Sequence, residues 1–376
     1  MPIDPAQHDL AEGDQIVLRR VDGMHNFNRG SCQGMVARRV RTSRLEYAAS
    51  EELMSRAGTV PRLFSAVTVL VACLAMPLTG RQQPPTTSLS HTQIVLLGTG
   101  DPAADPDQSG PATAVIVNDT PYLVDLGAGV VRRAKAAVVD RGIKALEPTN
   151  LRVAFVTHLH SDHTVGYPDL ILTPWVLGRR VPLEIYGPSG IKAMTEHLLE
   201  AYRVDFTTRT NPETGSGGQV AEGHAVKAHE IRAGVVYKDR NVTVTAFPTK
   251  HAMESYGYRF DTPDRSIVIS GDTNPTQATI DACRGCDVLI HEVRSLEGLA
   301  KRPPAFQRFA SRYHTTSAQL AELATQAKPR LLILYHHAIA LRPDVNPGAS
   351  SSAELLREVS ARYSGHVVVG HDLDVY

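Results

Sequence analysis

Three histidines and an aspartate lie within six positions of one another, directly after an apolar run. Residues 153–156 are apolar, and the polar cluster comprises His158, His160, Asp162 and His163. An apolar run that ends in such a cluster is typical of a buried strand that leads into a metal-binding loop. Without a cation, four titratable groups this close would repel or desolvate one another.

The spacing of the cluster indicates two ions. His158 and His160 are two positions apart, so at the end of an extended strand both side chains project to one side and can share a cation. Asp162 and His163 follow after a turn. There they are better placed to bind a second ion nearby than to complete the tetrahedron of ligands around the first. We therefore predict a two-metal site.

Three more candidate ligands stand where predicted strands end. His251 follows residues 242–247, Asp272 follows 266–270 and His336 follows 331–335. Each residue alone has an ordinary structural explanation: a loop histidine, a helix N-cap and a hydrogen-bonded polar residue at a strand terminus. Jointly, they supply what a dinuclear site needs.

The elements that position these residues alternate between strands and helices. Strands are predicted at 93–97, 114–117, 122–125, 151–156, 183–186, 242–247, 257–260, 266–270, 288–290, 331–335 and 367–369. Helices are predicted near 130–141, 191–202, 276–283, 316–327 and 351–363. The polar, glycine-rich residues 207–224 are predicted to form a mobile surface loop or lid. Strands interleaved with helices predict an α/β fold, with sheets covered by helices in an αββα sandwich.

The composition limits the classes of partner. The chain has 376 residues, of which 42% are hydrophobic, and its 39 basic residues balance 39 acidic ones. This hydrophobic content supports a substantial core. A protein that grips a polyanion over a long track usually has a basic surplus, so bulk charge gives no support to extended nucleic-acid binding.

The N-terminal part is predicted to lie outside the folded domain, which spans 93–376. Residues 1–53 read as a disordered extension, 54–80 as a signal peptide or lipoprotein signal, and 81–92 as a linker. A lipoprotein signal would place a lipid anchor on Cys73. We expect translation to start at Met54 and the protein to be exported: periplasmic, secreted or lipid-anchored. If the apolar stretch 63–75 is not a signal, the protein is cytoplasmic.

Four cysteines are too few for a disulfide scaffold. Cys283 and Cys286 have C-x-x-C spacing, but no second pair completes a zinc ribbon. Three interpretations stay open for this pair: packing at a helix end, a local disulfide in an oxidising compartment, and redox or metal chemistry.

Five motifs together resemble those of a known superfamily. Residues 157–163, 270–273, 291–292, 314–316 and 335–336 are similar, in order, to the motifs of the metallo-β-lactamase superfamily, in the branch that holds ribonuclease Z and secreted arylsulfatase-like enzymes. The resemblance extends from about residue 94 to 376 and implies an αββα sandwich of the metallo-β-lactamase type.

The resemblance also implies a division of the ligands between two Zn²⁺ ions, with Asp272 as the bridge. The first ion would be bound by His158, His160 and His251, and the second by Asp162, His163 and His336. The donors are all nitrogen and oxygen atoms, so Mn²⁺ and Fe²⁺ are alternatives to zinc. A hydroxide between the ions would be the nucleophile.

Three residues are predicted to act in catalysis. Asp162 would bind a metal and orient the hydroxide. His314 would face the substrate, where it would stabilise the developing oxyanion or protonate the leaving oxygen. Glu292 would orient His314, although an ordinary ion pair explains this residue as well.

The two groups of this branch, ribonuclease Z and the arylsulfatase-like enzymes, imply different substrates. In ribonuclease Z a long arm that grips transfer RNA lies between the third histidine and the bridging aspartate, whereas here Asp272 follows His251 by only 21 positions. Residues 172–180 and 256–266 look more like the arylsulfatase-like group. We therefore expect a metal-dependent hydrolase of small anionic sulfate or phosphate esters, with nucleic acid an unlikely partner and a homodimer as one assembly. Arg179 or Arg259 could meet the anionic group, although an arginine at a strand or helix end is more often a solvated or structural residue.

Two alternatives remain open at this point. A ribonuclease Z-like endonuclease would process the 3′ end of transfer RNA. A non-catalytic metal-binding protein would hold zinc and turn over no ester. β-Lactam hydrolysis and oxygen chemistry occur on the same fold, so the fold alone does not fix the reaction.

Overall fold

Two β-sheets form the centre of the domain. The computed structural model describes residues 92–215, 218–337 and 349–376, and all elements below lie in these ranges. The first sheet has the order β1-β2-β3-β4-β5-β6 and the second β13-β12-β11-β10-β9-β8-β7. The first sheet consists of β1 (Thr92–Gly98), β2 (Ala112–Val117), β3 (Thr120–Val124), β4 (Val153–Phe155), β5 (Leu183–Gly187) and β6 (Val226–Glu230). The second consists of β7 (Gly234–Lys238), β8 (Thr243–Pro248), β9 (Tyr256–Asp261), β10 (Ser266–Ile269), β11 (Val288–Glu292), β12 (Leu331–Tyr335) and β13 (Val367–Val369).

Eleven α-helices connect the strands of the described residues. They are α1 (Val130–Arg141), α2 (Ser161–Thr164), α3 (Tyr167–Val176), α4 (Ile191–Ala201), α5 (Arg203–Thr210), α6 (Ala221–His224), α7 (Gln277–Cys283), α8 (Leu296–Ala300), α9 (Pro304–Tyr313), α10 (Ser317–Ala327) and α11 (Ser352–Ser360). Two short 3₁₀ helices occupy Lys144–Leu146 and Pro148–Asn150. None of the helices in the described part of the chain combines the length and apolarity that a membrane crossing requires.

The core lies in three layers because each sheet is apolar on both faces. Between the sheets, Phe155 of β4 packs against Tyr258 and Phe260 of β9, with ring centroids 5.4 and 5.5 Å apart. Helices α1, α3 and α4 cover the outer face of the first sheet, and α7, α10 and α11 cover that of the second. The predicted αββα sandwich is confirmed.

Strand direction explains why the candidate ligands meet. β3 to β6 run parallel to one another, as do β10 to β13. β8 and β10 are both antiparallel to β9, so they also share a direction. The carboxyl ends of parallel strands lie at one edge of a sheet, and the loops after β4, β8, β10 and β12 carry the candidate ligands.

The structure corrects the predicted elements in several places. Residues 207–224 are helical at both ends, in α5 and α6, so the prediction of one continuous loop is wrong. The sequence pattern also missed β6, β7, α3, α8 and α9. Cys283 and Cys286 form a disulfide in the buried layer beneath α7. The predicted extension, signal segment and linker at 1–91, with Cys73, lie outside the described residues.

Candidate metal centre

The loop after β4 is fixed from below by a buried aspartate. Asp125 follows β3 with a φ of 63° and accepts hydrogen bonds from the backbone N–H of Thr157 at 2.8 Å and from its hydroxyl at 3.0 Å. Beyond this anchor, His160 has an extended conformation and is the N-cap of α2. The turn into α2 then brings Asp162 and His163 to the same side as the first two histidines.

The first donor set consists of His158, His160 and His251. The Nδ1 atom of His160 lies 3.0 Å from Nε2 of His158 and 3.1 Å from Nε2 of His251. Tetrahedral ligands at zinc–nitrogen distances of about 2.0–2.1 Å are separated from one another by roughly 3.3 Å. The three nitrogens are therefore close to the spacing that one shared cation imposes.

Hydrogen bonds behind the rings leave metal-facing nitrogens without protons. The Nδ1–H of His251 donates to the backbone carbonyl of Tyr313 at 3.1 Å, and a carbonyl only accepts. The hydroxyl of Thr157 donates to Asp125, so it accepts from Nδ1–H of His158 at 3.0 Å. In both neutral rings Nε2 then carries no proton. Its lone pair is available to a metal ion at the centre of the set.

The second donor set consists of Asp162, His163, His336 and one oxygen of Asp272. Nε2 of His336 lies 3.2 Å from Oδ2 of Asp162, 3.2 Å from Nε2 of His163 and 3.3 Å from Oδ1 of Asp272. Nε2 of His163 lies 3.5 Å from Oδ2 of Asp162 and 3.4 Å from Oδ1 of Asp272. These separations match the edges of a tetrahedron around one ion.

Asp272 connects the two sets. Its Oδ1 faces the second set, while its Oδ2 lies 4.0 Å from Nε2 of His158 in the first. The residue is 3% exposed, and its Oδ1 lies 3.3 Å from Nε2 of His336 and 3.4 Å from Nε2 of His163. A buried carboxylate is costly unless it is paired or coordinates a metal, and a divalent cation on each side would remove that cost. The residues fit a pair of cations.

Burial and charge set the protonation of the sets. Burial lowers the pKa of His158 well below its usual range and lowers those of His160 and His251 below it. Burial acts the same way on His163 and His336, but the neighbouring aspartates outweigh it and raise both pKa values. The carboxylates of the second set thus favour protonation of its imidazoles, and metal binding would displace such protons.

The carboxylates respond in the opposite direction. Burial opposes ionisation of Asp272 and Asp162, yet the charges of His336 and His163 hold the pKa of Asp272 well below its usual range. The hydrogen bond from His336 and the charge of His163 lower the pKa of Asp162 to about 2. Both side chains are therefore ionised at neutral pH and available as ligands.

His314 lies beside the donor sets. Its Nδ1 is 3.9 Å from Oδ2 of Asp272 and 3.0 Å from Oε1 of the fully buried Glu292. Because a carboxylate only accepts, Nδ1 carries a proton and Nε2 is free to face other groups. Glu292 Oε1 also accepts from the backbone N–H groups of Thr273 and Thr315, which fixes the carboxylate.

A cavity of about 490 Å³ opens next to the donor sets, with His160, Asp162, Asp272, His314 and His336 in its wall. Its size is typical of sites for small molecules or single residues of a polymer.

One buried arginine also lines the cavity. The Nη1 of Arg294 is paired with Asp101 at 2.8 Å, and its side chain is 8% exposed. Burial disfavours its charge, but Asp101 and the other acidic groups raise its pKa above the usual value. Asp101 lies in the same wall, so the pair brings oriented, mutually neutralising charges to the cavity.

Two arginines expected to meet an anionic group have other partners. Arg179 is 1% exposed and donates to backbone carbonyls, including that of Gly223 at 3.2 Å. Arg259 pairs with Asp261 at 2.7 Å. Neither residue lines the cavity, so that expectation is wrong. Arg294, which sequence reasoning missed, lies there instead; its position two residues after Glu292 was the available signal.

The structure brings the seven predicted ligands and both predicted partners, His314 and Glu292, into one site. His337 lies apart from both donor sets, since its Nε2–H donates to the carbonyl of Gly370 at 2.9 Å. Asp125 and Thr157 were missed as supports of the histidines. Asp125 follows a predicted strand directly, but no local pattern indicates a contact with His163, 38 positions away.

A family model described as a beta-lactamase superfamily domain matches residues 120–337. A Ribonuclease Z of Mycobacterium bovis is 31% identical over 286 residues, which cover 75% of this chain and 96% of that protein.

Solved structures with the same fold include the metallo-beta-lactamase fold protein YhfI of Bacillus subtilis. Its TM-score is 0.56 at 18% identity, over 76% of this chain and 98% of that one. Human tRNase Z, short form, has a TM-score of 0.52 at 21% identity, over 76% of this chain and 98% of that one. At these identities the two structures support the fold alone.

Proposed function

This chain belongs to the metallo-β-lactamase superfamily, in the branch that includes ribonuclease Z, and on this basis we propose that it is a ribonuclease of the ribonuclease Z type. It would hydrolyse a phosphodiester bond of RNA with two Zn²⁺ ions in the two donor sets. The observation that carries the proposal is Asp272, whose two oxygens face one donor set each beside His314.

The expectation that nucleic acid is an unlikely partner is wrong. It rested on bulk charge and on the short distance between His251 and Asp272, which leaves no room for an arm. The M. bovis protein bears the name Ribonuclease Z, and the alignment spans similar lengths of both chains, so it holds no long insertion in the aligned region that this chain lacks. A missing arm is therefore no argument against RNA. The similarity to a protein named Ribonuclease Z therefore supports RNA as the substrate better than small sulfate esters.

The site's own residues have separate tasks in this hydrolysis. Asp162 lines the cavity, and its carboxylate can accept a hydrogen bond from the attacking water and orient it towards phosphorus. The Nδ1–H of His314 donates to Glu292, and in its doubly protonated form the ring can also donate the proton on Nε2 to the departing oxygen. When bound, two divalent cations lower the pKa of water towards about 7 and stabilise charge on the phosphoryl oxygens.

The fixed geometry contributes as much as the identity of the groups. Glu292 is held by two backbone N–H groups, and His314 is held by Glu292. The buried ion pair of Arg294 and Asp101 lies in a wall that also carries Arg302 and several histidines. These contacts exist before a substrate binds, so little reorganisation is needed during the reaction.

The experiment is a cleavage assay with the purified full-length chain, zinc and a precursor transfer RNA that carries a 3′ extension. We expect endonucleolytic cleavage that a chelator abolishes and added zinc restores. Asp272→Ala should be inactive, whereas Asp205→Ala, at a partly exposed carboxylate paired with Arg209, should retain activity. Turnover of nitrophenyl sulfate without cleavage of any RNA would overturn the proposal.

A further inference from the structure

The cavity beside the donor sets has one polar and one apolar wall. The polar wall carries the candidate ligands and Arg294. The apolar wall is formed by Val293, Leu299, Phe306, Phe309 and Leu355. Hydrolysis of a phosphodiester by itself requires only the polar wall, so the apolar wall indicates that part of the substrate is apolar and flat or bulky.

Phe309 is the accessible aromatic ring of this wall. It lies on α9 and is 40% exposed, which is high for a phenylalanine. Its ring centroid lies 5.7 Å from that of His314. A planar group stacked on Phe309 would therefore lie next to the residue that faces the reacting phosphate.

Further contacts hold this ring in place and add positive charge to its surroundings. Phe309 packs against Tyr313 at 5.4 Å and against Phe306 at 6.4 Å between ring centroids. The guanidinium of Arg302 lies 4.9 Å above the ring of Phe306. Aromatic rings with interleaved arginine side chains are typical of surfaces that stack nucleobases and attract phosphates.

We infer that the cavity is a nucleobase subsite, in which the base adjacent to the scissile phosphate stacks on Phe309. The inference rests on the proposed function, since it names the part of the RNA that the site recognises. The volume of about 490 Å³ suits one nucleoside and is too small for a segment of duplex or a protein helix. An unpaired nucleotide at the cleaved bond would fit this space.

A binding experiment tests the subsite without requiring cleavage. Zinc-loaded full-length protein is titrated by calorimetry with adenosine 5′-monophosphate and with ribose 5-phosphate, which lacks the base. We expect the base to tighten binding roughly 5- to 150-fold, as stacking of one base on an aromatic ring does. Phe309→Ala should bind both ligands equally, and Phe309→Tyr, which keeps the ring, should preserve the difference.

Tyr202 provides a matched control. It is 38% exposed, close to the value for Phe309, and it lies outside the cavity wall. Tyr202→Ala should keep the preference for the nucleotide. Equal melting temperatures of the variants would exclude misfolding as the cause of a loss.

Cleavage of single-stranded oligoribonucleotides gives the second measurement. An abasic residue next to the cleaved bond should slow the native protein roughly 5- to 150-fold and leave Phe309→Ala unaffected. RNA cleavage that tolerates the abasic residue would overturn the subsite and leave the proposed function intact. Base-dependent binding without RNA cleavage would overturn the proposed function and leave the subsite. Equal binding of both ligands by the native protein also overturns the subsite.

Discussion

Oδ2 of Asp125 lies 2.9 Å from Nδ1 of His163, and solvent reaches neither side chain. The same carboxylate accepts from the hydroxyl of Thr157, which contacts Nδ1 of His158. One aspartate thus orients a histidine in each donor set.

Asp125→Asn should weaken metal binding in both sets. The amide has the same shape but no negative charge, and loss of such a supporting contact typically costs 10- to 100-fold in metal affinity. Competition with a zinc chelator measures the change. Asp239→Asn, at a carboxylate that accepts from Tyr122 far from the site, should leave the affinity unchanged. Native affinity in Asp125→Asn would contradict the role of Asp125.

Asp272→Ala should lose more metal than His336→Ala. Asp272 faces both donor sets, whereas His336 belongs to the second alone. We expect about two zinc ions per chain in the native protein, about one in His336→Ala and fewer than one in Asp272→Ala. Elemental analysis of the dialysed proteins gives these numbers. A metal content in Asp272→Ala equal to that of the native chain would exclude a bridging carboxylate.

Glu292→Gln should slow the reaction and leave the metal content unchanged. The Gln oxygen can still accept from Thr273 and Thr315, so the local backbone stays in place. His314 keeps a hydrogen-bond acceptor but loses its charged partner, and we expect kcat to fall roughly 10- to 100-fold with little change in KM. A structural role alone would instead change stability or metal content, which thermal melting and elemental analysis report.

We expect Glu358 to make the free energy of unfolding depend on pH. Burial alone would raise the pKa of Glu358, but hydrogen bonds from Ser317, Ser295 and the backbone at the start of α8 lower it. Because the folded pKa lies below the unfolded one, the stabilisation is complete above the ordinary titration range of glutamate. It is lost as pH falls through the folded pKa.

Glu358→Gln isolates this contribution. At pH 7 the variant should be less stable by about 2 kcal/mol, since several charge-assisted hydrogen bonds are weakened. Between about pH 5 and pH 3 the gap to the native protein should narrow. Urea unfolding across this range measures both effects. A constant gap would show that the charge of Glu358 does not contribute.

The ligands could be predicted from the sequence because the loops that contain them follow apolar strands. His158, Asp272 and His336 stand directly after buried runs, and parallel strands bring their ends to one edge. The sandwich was predictable for the same reason, since its central strands are continuous apolar segments.

The features that could not be predicted from the sequence depend on contacts between residues far apart in the chain. β6 and β7 are edge strands in which most residues are polar or exposed, so pairing rather than sequence pattern makes them strands. Arg179 resembles a substrate ligand in the sequence, but in the fold it is buried and bonded to carbonyls. The pairing of Arg294 with Asp101 spans 193 positions, and no local rule reports it.

The two donor sets take their residues from both halves of the chain. The first sheet leads into His158, His160, Asp162 and His163, while the second leads into His251, Asp272 and His336. A bound metal pair would therefore act as a crosslink across the open edge of the sandwich. While the ions stay in place, neither sheet can separate from the other, so metal availability would set how long the folded chain survives as well as whether it reacts.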